Sequence, residues 1–449
     1  MKMKISPAAQ KAIETLSAAG YEAFCVGGCV RDMIMGRVPN DFDVTTSALP
    51  EQTKACFGGY HVIETGMKHG TVTAVINGEP IEITTYRVDG EYLDNRRPSE
   101  VFFTSRIEDD LSRRDFTVNA MAYSAERGLV DAFGGREDIE RKIIRAVGEP
   151  DRRFHEDGLR ILRALRFASV LDFTIDADTA DSIHRNRALL RNISAERILV
   201  EFVKLVCGVG AARILGEFSD VLCEIIPEFR PSVGFDQHNP YHIYDVYTHS
   251  LRALEAAEGD KYVKLAVLFH DIGKPASYSE DEKGGHFYGH HKLSAELTEQ
   301  ALRRLKADGK TLHTVVKLVD AHDRGLPPTE KSVRRLICSF GEEDTRRLIQ
   351  VRRADNSALV EWLVKPRLDE LDEIERIVDK IKADGELPSL KNLAVHGDDI
   401  IKQGVRPGKQ VGVILNALLD GVIEGTLQND KKVLLDKTVE ILNKMEISD

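Results

Sequence analysis

The feature that most constrains the fold of this chain is a change of hydrophobic period. Up to about residue 125, apolar residues come in short alternating runs at 22–26, 41–47, 70–76 and 80–87, the pattern of half-buried strands. From about residue 137 they recur at three- and four-residue spacing as far as the C-terminus, the pattern of helices. A period of two and a period of 3.6 cannot serve the same layer, so the sequence predicts an α+β chain: a small mixed α/β head, then a mostly all-α remainder. A chain of 449 residues also exceeds what one core serves. Gly- and Pro-marked breaks near 148–150, 208–210, 227–240, 283–290, 325–328 and 404–408 divide it. We read a head over 1–136, a helical neck over 137–230, a helical body over 231–345 and a helical tail over 346–449. No fixed-period repeat points to a solenoid.

Within the head, Ile5, Ala9, Ile13 and Leu16 form a helical stripe that stops at Gly20. A strand over 22–26 ends in Gly27-Gly28, helical spacing returns over CVRDMIMG, and Asn77-Gly78 predicts a type I′ hairpin between the last two strand runs. The formal charge of −11 excludes a protein that grips nucleic acid with its whole surface. Any such contact must be local, and the pairs Arg96/Arg97, Arg113/Arg114, Arg152/Arg153, Arg346/Arg347 and Arg352/Arg353 are the candidates for a basic track. Six scattered cysteines without CxxC pairing read as buried apolar residues, not as a disulfide frame or zinc knuckle. No apolar run is long enough to cross a bilayer, and the N-terminal stretch has no apolar leader segment, so the expected location is the cytoplasm with no membrane partner.

The densest chemistry lies in Gly27-Gly28-Cys29-Val30-Arg31-Asp32 followed by Asp41-Phe42-Asp43. Two glycines at a strand-to-helix turn let backbone amides approach a phosphate at a helix N-terminus, and Arg31 can reach the same oxygens: a triphosphate cradle. Asp41 and Asp43, one residue apart on a predicted strand, would point to one face and hold Mg²⁺. Two such ions would activate a 3′-hydroxyl and stabilise a leaving pyrophosphate. Glu82, on the strand over 80–87, is the best third carboxylate, although an exposed strand position explains it nearly as well.

The order GGCVRD, DFD, TGMKHGTVT, IEITTYR, RRDFTVNAMA and EDGLRILRALRF over about residues 21–170 resembles the class II tRNA nucleotidyltransferases (CCA-adding enzymes) and their relatives, the bacterial poly(A) polymerases. The resemblance implies a nucleotidyltransferase head of polymerase beta-like type, triphosphate binding by Gly28 and Arg31, and magnesium on Asp41 and Asp43. It further implies that Arg114, Asp115 and Asn119 hold the ribose and phosphates of the incoming nucleotide, and that a C-terminal helical tail holds tRNA. The polar segment DGEYLDNRRPSEVFFTS resembles the flexible element with which such enzymes switch from C to A.

Asp157, Arg160, Arg163 and Arg166 recur every three residues in a run expected to be one helix, so they should form a ridge along it. An Asp accepts from an exocyclic amine and an Arg fork donates to a ring nitrogen or carbonyl, a combination matched by C and A and not by U and G. In an unknown sequence the same spacing reads as an i, i+3 ion pair; the resemblance assigns the templating part to Asp157 and Arg160, with Arg163 and Arg166 on phosphates.

A second constellation lies in the helical half: His249, then adjacent His270-Asp271, with His286, His290, His291, Asp320, His322 and Asp323 able to complete a metal shell. Residues 242–324 resemble the HD superfamily of metal-dependent phosphohydrolases, which implies His249, His270, Asp271 and Asp323 as ligands of a divalent metal and His290 as an outer member. Imidazole with carboxylate suits Mn²⁺, Fe²⁺, Ni²⁺, Co²⁺ or Mg²⁺. The expected activity is template-independent addition of C, C and A to tRNA from CTP and ATP. The alternatives are a poly(A) polymerase using ATP alone, a protein that is primarily an HD phosphohydrolase, and a non-catalytic RNA-binding module. The oligomeric state is open.

Overall fold

The computed structural model describes residues 3–90, 100–238, 240–281, 284–383, 390 and 392–446. It divides into two compact units, residues 1–230 with 301–307, and residues 231–300 with 308–449.

The first unit opens with helix α1 (Pro7–Ala18), capped by the Ser6 side chain and burying Ala8, Ala9, Ala12, Ile13 and Leu16. The head is then built on strands β1 (Ala23–Val26), β2 (Asp43–Thr46), β3 (His61–Ile63), β4 (Thr71–Ile76), β5 (Glu79–Thr85), β6 (Arg87–Asp89), β7 (Val101–Phe103), β8 (Ala122–Ser124) and β9 (Gly128–Val130). Seven of these form one sheet in the order β3-β4-β5-β2-β1-β8-β9, while β6 and β7 pair separately. Only β2 and β5 run parallel in it, with Asp43 beside Glu82; the other pairings are antiparallel. In β4 Val72, Ala74 and Ile76 are fully buried and their neighbours are not, the alternation that fixes register. The hairpin after it turns on Asn77 (φ 53°) and Gly78 (φ 82°), as a type I′ turn requires. Phe24, Val26, Tyr86, Ile107, Leu111 and Ala122 make up a core cluster of the head.

Two details depart from the expected head. Strand β2 begins at Asp43, so Asp41 precedes it: β1 turns away at Gly27, and the ladder to β5 starts at the Asp43–Glu82 pair. The three-residue strands β3, β8 and β9 are too short to leave an alternation in the sequence. The polar segment from Asp89 to Ser105 falls largely outside the described residues, as do Arg96 and Arg97.

Short helices α2 (Gly28–Ile34), α3 (Pro50–Cys56), α4 (Ile107–Ser112) and α5 (Gly135–Glu140) decorate the head. The neck follows with α6 (Pro150–Glu156), α7 (Leu159–Leu171), α8 (Ala177–Asn186) and α9 (Ala195–Val206). The run expected as a single helix across 156–167 is broken. Asp157 is extended (φ −144°, ψ 106°) and its Oδ1 accepts from the Leu159 N–H at 3.0 Å, so it forms an Asx turn ahead of α7, whose N-cap is Gly158, instead of riding on the helix. At Gly158 a Cβ would stand 3.1 Å from the Leu189 carbonyl oxygen, which explains the glycine at the break.

The second unit is mainly helical, including Val246–Ala256, Lys261–Phe269, the larger part of His290–Arg304, Gly309–Ala321, Glu342–Ser357 and Glu361–Ala383. Its last helices, Gly397–Lys402, Lys409–Ile423 and Lys431–Glu446, close on Leu393, Val395, Ile400, Ile414, Leu418 and Leu434. Small ribbons at 143–144 with 174–175 and at 279–281 with 284–286 interrupt the helical half. Among the described residues no helix is long and apolar enough to cross a membrane. The cysteines are free, but only Cys25, Cys29 and Cys223 are buried; Cys207 is exposed and Cys56 and Cys338 are half-buried, against the uniform burial expected.

Candidate active site and a second metal-ligand cluster

The turn at Gly27 sets the head's cleft. Its φ of 79° carries the chain from β1 into α2 and favours glycine there; a Cβ would also stand 2.9 Å from Arg114 Nη1, which would have to shift. The cleft, about 500 Å³, is lined by Gly27, Gly28, Arg31, Asp43, Arg114, Asp115, Asn119, Asp157, Arg160, Arg163 and Arg166. The structure therefore brings together every expected nucleotide-contacting residue and one of the three carboxylates. Asp41 and Glu82 flank Asp43 and are exposed like it. Desolvation, then the charges of Asp41 and Glu82, push the Asp43 carboxyl up to about 6 against the pull of Arg114.

A continuous polar chain holds the cleft wall. Arg31 donates to Asn119 Oδ1 at 2.8 Å; Asn119 donates to Asp115 Oδ1 at 3.2 Å; Arg163 Nε donates to Asp115 Oδ2 at 2.8 Å. Arg166 then pairs with Glu201 at 2.7 Å and stacks over Phe167 at 3.9 Å. Burial opposes a charged Asp115, but the Arg163 and Arg160 charges and hydrogen bonds from Arg163 and Asn119 outweigh it and bring its pKa to about 2. The side chains of Asp157 and Arg160 do not pair with each other, as an ion-pair ridge would have them. Asp157 Oδ2 is held by Arg197 at 2.7 Å, while Arg160 is held by Glu156 at 2.6 Å and by the Arg113 carbonyl at 3.0 Å. Arg197 and Glu201 were not anticipated: they lie on α9, and no local spacing ties them to the motif; Glu156 stands inside the motif, four residues before Arg160, but was given no role.

The wider basic track is not what the structure displays. In each described Arg pair at least one member is tied to carboxylates of the chain: Arg113 to Asp110, Arg153 to Glu156, Arg346 to Asp379, Arg347 to Asp260 and Arg353 to Asp372.

In the second unit His249, His270 and Asp271 converge, as expected, and are essentially buried. The carboxylate that joins them is Asp355 on helix Glu342–Ser357, with Oδ1 2.9 Å from His249 Nε2 and 3.3 Å from His270 Nε2. Asp323, assigned to that place from sequence, is exposed; its Oδ2 lies 4.0 Å from His290 Nδ1, and it groups with His290 and His291 instead. It follows the C-cap residue of its helix, and the inward direction is taken by the preceding His322. Asp355 also lies beyond the expected body–tail boundary at 345/346. His286 pairs with Asp281 at 2.9 Å and is outside the cluster. Burial disfavours a charged His270, yet Asp271 and Asp355 outweigh it and raise its pKa to about 10, a measure of the positive charge this cluster attracts. Burial, reinforced by Lys274, brings His242 nearby to about 3.

A carboxylate cluster on two adjoining interior strands of a mixed sheet, near a glycine turn that opens a helix, is the layout of a nucleotidyltransferase. The family models agree in their descriptions: a poly A polymerase head domain matches residues 23–145, a probable RNA and SrmB-binding site of polymerase A matches 172–223, and a putative tRNA nucleotidyltransferase domain 2 matches 286–438. The chain is 34% identical over 433 residues to a CCA-adding enzyme of Lactobacillus delbrueckii subsp. bulgaricus, covering 95% of this chain and 96% of that one. It is 35% identical over 447 residues to one of Limosilactobacillus reuteri, covering 98% and 99%. The crystal structure of the Bacillus stearothermophilus CCA-adding enzyme in complex with CTP superposes with a TM-score of 0.76 at 30% identity, covering 99% of this chain and all of that one. The chain belongs to the CCA-adding enzyme family.

Proposed function

We propose that the chain adds C, C and A to the 3′ end of tRNA, using CTP and ATP and releasing pyrophosphate. The observation that carries this reading is one cleft with Asp43 on its head side and Asp157 and Arg160 on its neck side. A base held between the latter two is read by protein side chains alone. Asp157, fixed by Arg197, accepts from the amino group of C or A, and Arg160, fixed by Glu156, donates to the ring. Gly28 and Arg31 take the triphosphate, Arg114, Asp115 and Asn119 keep the ribose and phosphates in register, and Arg163 and Arg166 supply further phosphate contacts. The oxygen donors Asp41, Asp43 and Glu82 fit magnesium, whose charge would lower the barrier for attack of the RNA 3′-hydroxyl on the α-phosphate. The CTP complex of the Bacillus relative supports the nucleotide assignment. Addition by an Asp43→Ala protein is expected to fall about a thousandfold with its melting temperature unchanged. Near-normal turnover in that variant would remove Asp43 from the site.

The cluster of buried His249, His270 and Asp271 with half-buried Asp355 favours a second activity, metal-dependent phosphoester hydrolysis of the HD type. It brings imidazole and carboxylate donors to one point at the floor of a cavity of about 610 Å³. In this reading the head spans 1–136, the neck 137–230, and the body extends past 345 to include Asp355, ahead of the tail.

A further inference from the structure

Three of the arginines that line the head's cleft share one aromatic ring. The guanidinium carbon of Arg166 lies 3.9 Å from the centroid of Phe167, and those of Arg31 and Arg163 lie 5.3 and 5.4 Å from it. Significant cation–π contacts occur roughly once per 70–80 residues, so three on one ring are a concentrated arrangement. Each arginine also has its own carboxylate. Arg31 donates to Asp32 Oδ1 at 2.9 Å, Arg163 reaches Asp115 Oδ2 at 2.6 Å, and Arg166 stands 2.7 Å from Glu201 Oε2. Arg166 differs from the other two: its Nε is buried and makes no hydrogen bond, so stacking on the ring sets the plane of its guanidinium. Burial, then the like charges of Arg163 and Arg31, hold that guanidinium below its ordinary range against the pull of Glu201. Like charges gathered in a partly desolvated wall repel, and the negative face of a ring among them offsets the repulsion. Phe167 is 9% exposed and lines the cleft. Elsewhere α7 packs with Leu159, Ile161, Leu162, Leu165 and Leu171, so burial alone does not ask for a ring.

Resting on the nucleotidyltransferase reading of this cleft, we infer that Phe167 is a positioning residue for the incoming nucleotide: its ring gathers Arg31, Arg163 and Arg166 into one preformed receptor for the phosphates. The ring acts through the arginines and not on the nucleotide. A triphosphate then meets guanidiniums whose planes are already set, and little ordering of long side chains is left to accompany binding. An aliphatic side chain at the same place would fill the volume and leave the three cations without the π face. Contacts made equally with bound nucleotide and with the transition state appear in KM and not in kcat, so the ring's contribution belongs to nucleotide affinity.

The test replaces Phe167 in the full chain by mono-, di- and trifluorophenylalanine, which keep the ring's shape while draining negative charge from its face. Extension of a tRNA lacking its last three nucleotides is followed at steady state, and CTP binding by calorimetric titration. KM and Kd for CTP are expected to rise stepwise, to about tenfold in the trifluoro protein, with kcat within about twofold of the parent. The same fluorination at Phe116, which meets Phe167 edge to face at 5.9 Å and has none of the three guanidiniums over it, is expected to change neither. Phe167→Leu is expected to lose at least as much affinity as the trifluoro protein, and Phe167→Tyr to recover most of it. A flat series at Phe167 in a protein that still extends tRNA, or an equal loss from fluorinated Phe116, overturns the ring's role and leaves the nucleotidyltransferase standing. A parent that neither binds CTP nor extends tRNA overturns the reading of the cleft itself.

Discussion

Asp115 shows how a single buried carboxylate organises the head's cleft. Its pKa of about 2 lies below the ordinary carboxylate range near 4, so its ionised form stabilises the fold at pH above about 4 and loses that contribution as pH falls through about 2. Asp115→Asn is expected to lower stability at pH 7 by about 2 kcal/mol, the gap to the parent closing between about pH 4 and 2. Denaturant melts of both proteins across that range would measure it, and a gap independent of pH would contradict the ion-pair account. Residues of this kind were legible in sequence only as members of a motif. Asp43 and Arg31 could be named because short spacing places them near a turn or strand end, and Asp115 because the family resemblance supplied it. Arg197, Glu201 and Asp355 could not, because helix packing brings them in from distant segments and nothing local marks them. The choice among Asp320, His322 and Asp323 failed for a related reason: at a helix end, a one-residue difference in position rotates the side chain by about 100°, and only the packed structure selects which one faces inward.

Among the elements, the strand–turn–helix at β1, Gly27 and α2 is the one whose geometry the activity depends on most directly. Gly27→Ala would place a side chain at φ 79° and 2.9 Å from Arg114 Nη1. The expected result is a melting temperature lowered by a few degrees, from backbone strain of about 1–2 kcal/mol, together with a raised KM for nucleotide as Arg114 is displaced. Steady-state kinetics and thermal melts on the same preparation check both; a change in neither would mean that the turn is not constrained. The hairpin at Asn77-Gly78 and the long helices were readable because periodicity and turn chemistry agree there. The break between α6 and α7 was not, because Leu159, Ile161, Leu162 and Leu165 continue a helical stripe straight after it, and only the Asx turn at Asp157 and the close packing at Gly158 reveal that the chain restarts.

For the whole molecule, an overall charge of −11 with arginines concentrated in one cleft implies that RNA binding is confined to few phosphates. The logarithm of the tRNA association constant should then fall with the logarithm of salt concentration at a slope no steeper than about −4, below that of proteins that track long duplexes. Fluorescence anisotropy between about 50 and 300 mM salt reads this slope, and a value near −10 would point to a much wider basic face than the one described. The two-period division into an α/β head and helical remainder was visible in sequence because burial on one sheet face and on helix stripes leaves different spacings. The partition of the helical half was not, since Asp355 crosses the boundary drawn from loop composition.

The most direct measurement is made on a tRNA lacking its last three nucleotides, incubated with the protein, Mg²⁺ and CTP, ATP or both, with the products sized and sequenced. Growth by two residues with CTP and by three with both, ending in CCA and then stopping, is the expected result. Unlimited extension with ATP alone, or incorporation of U or G when all four nucleotides are supplied, would contradict a cleft in which Asp157 and Arg160 stand in for the template.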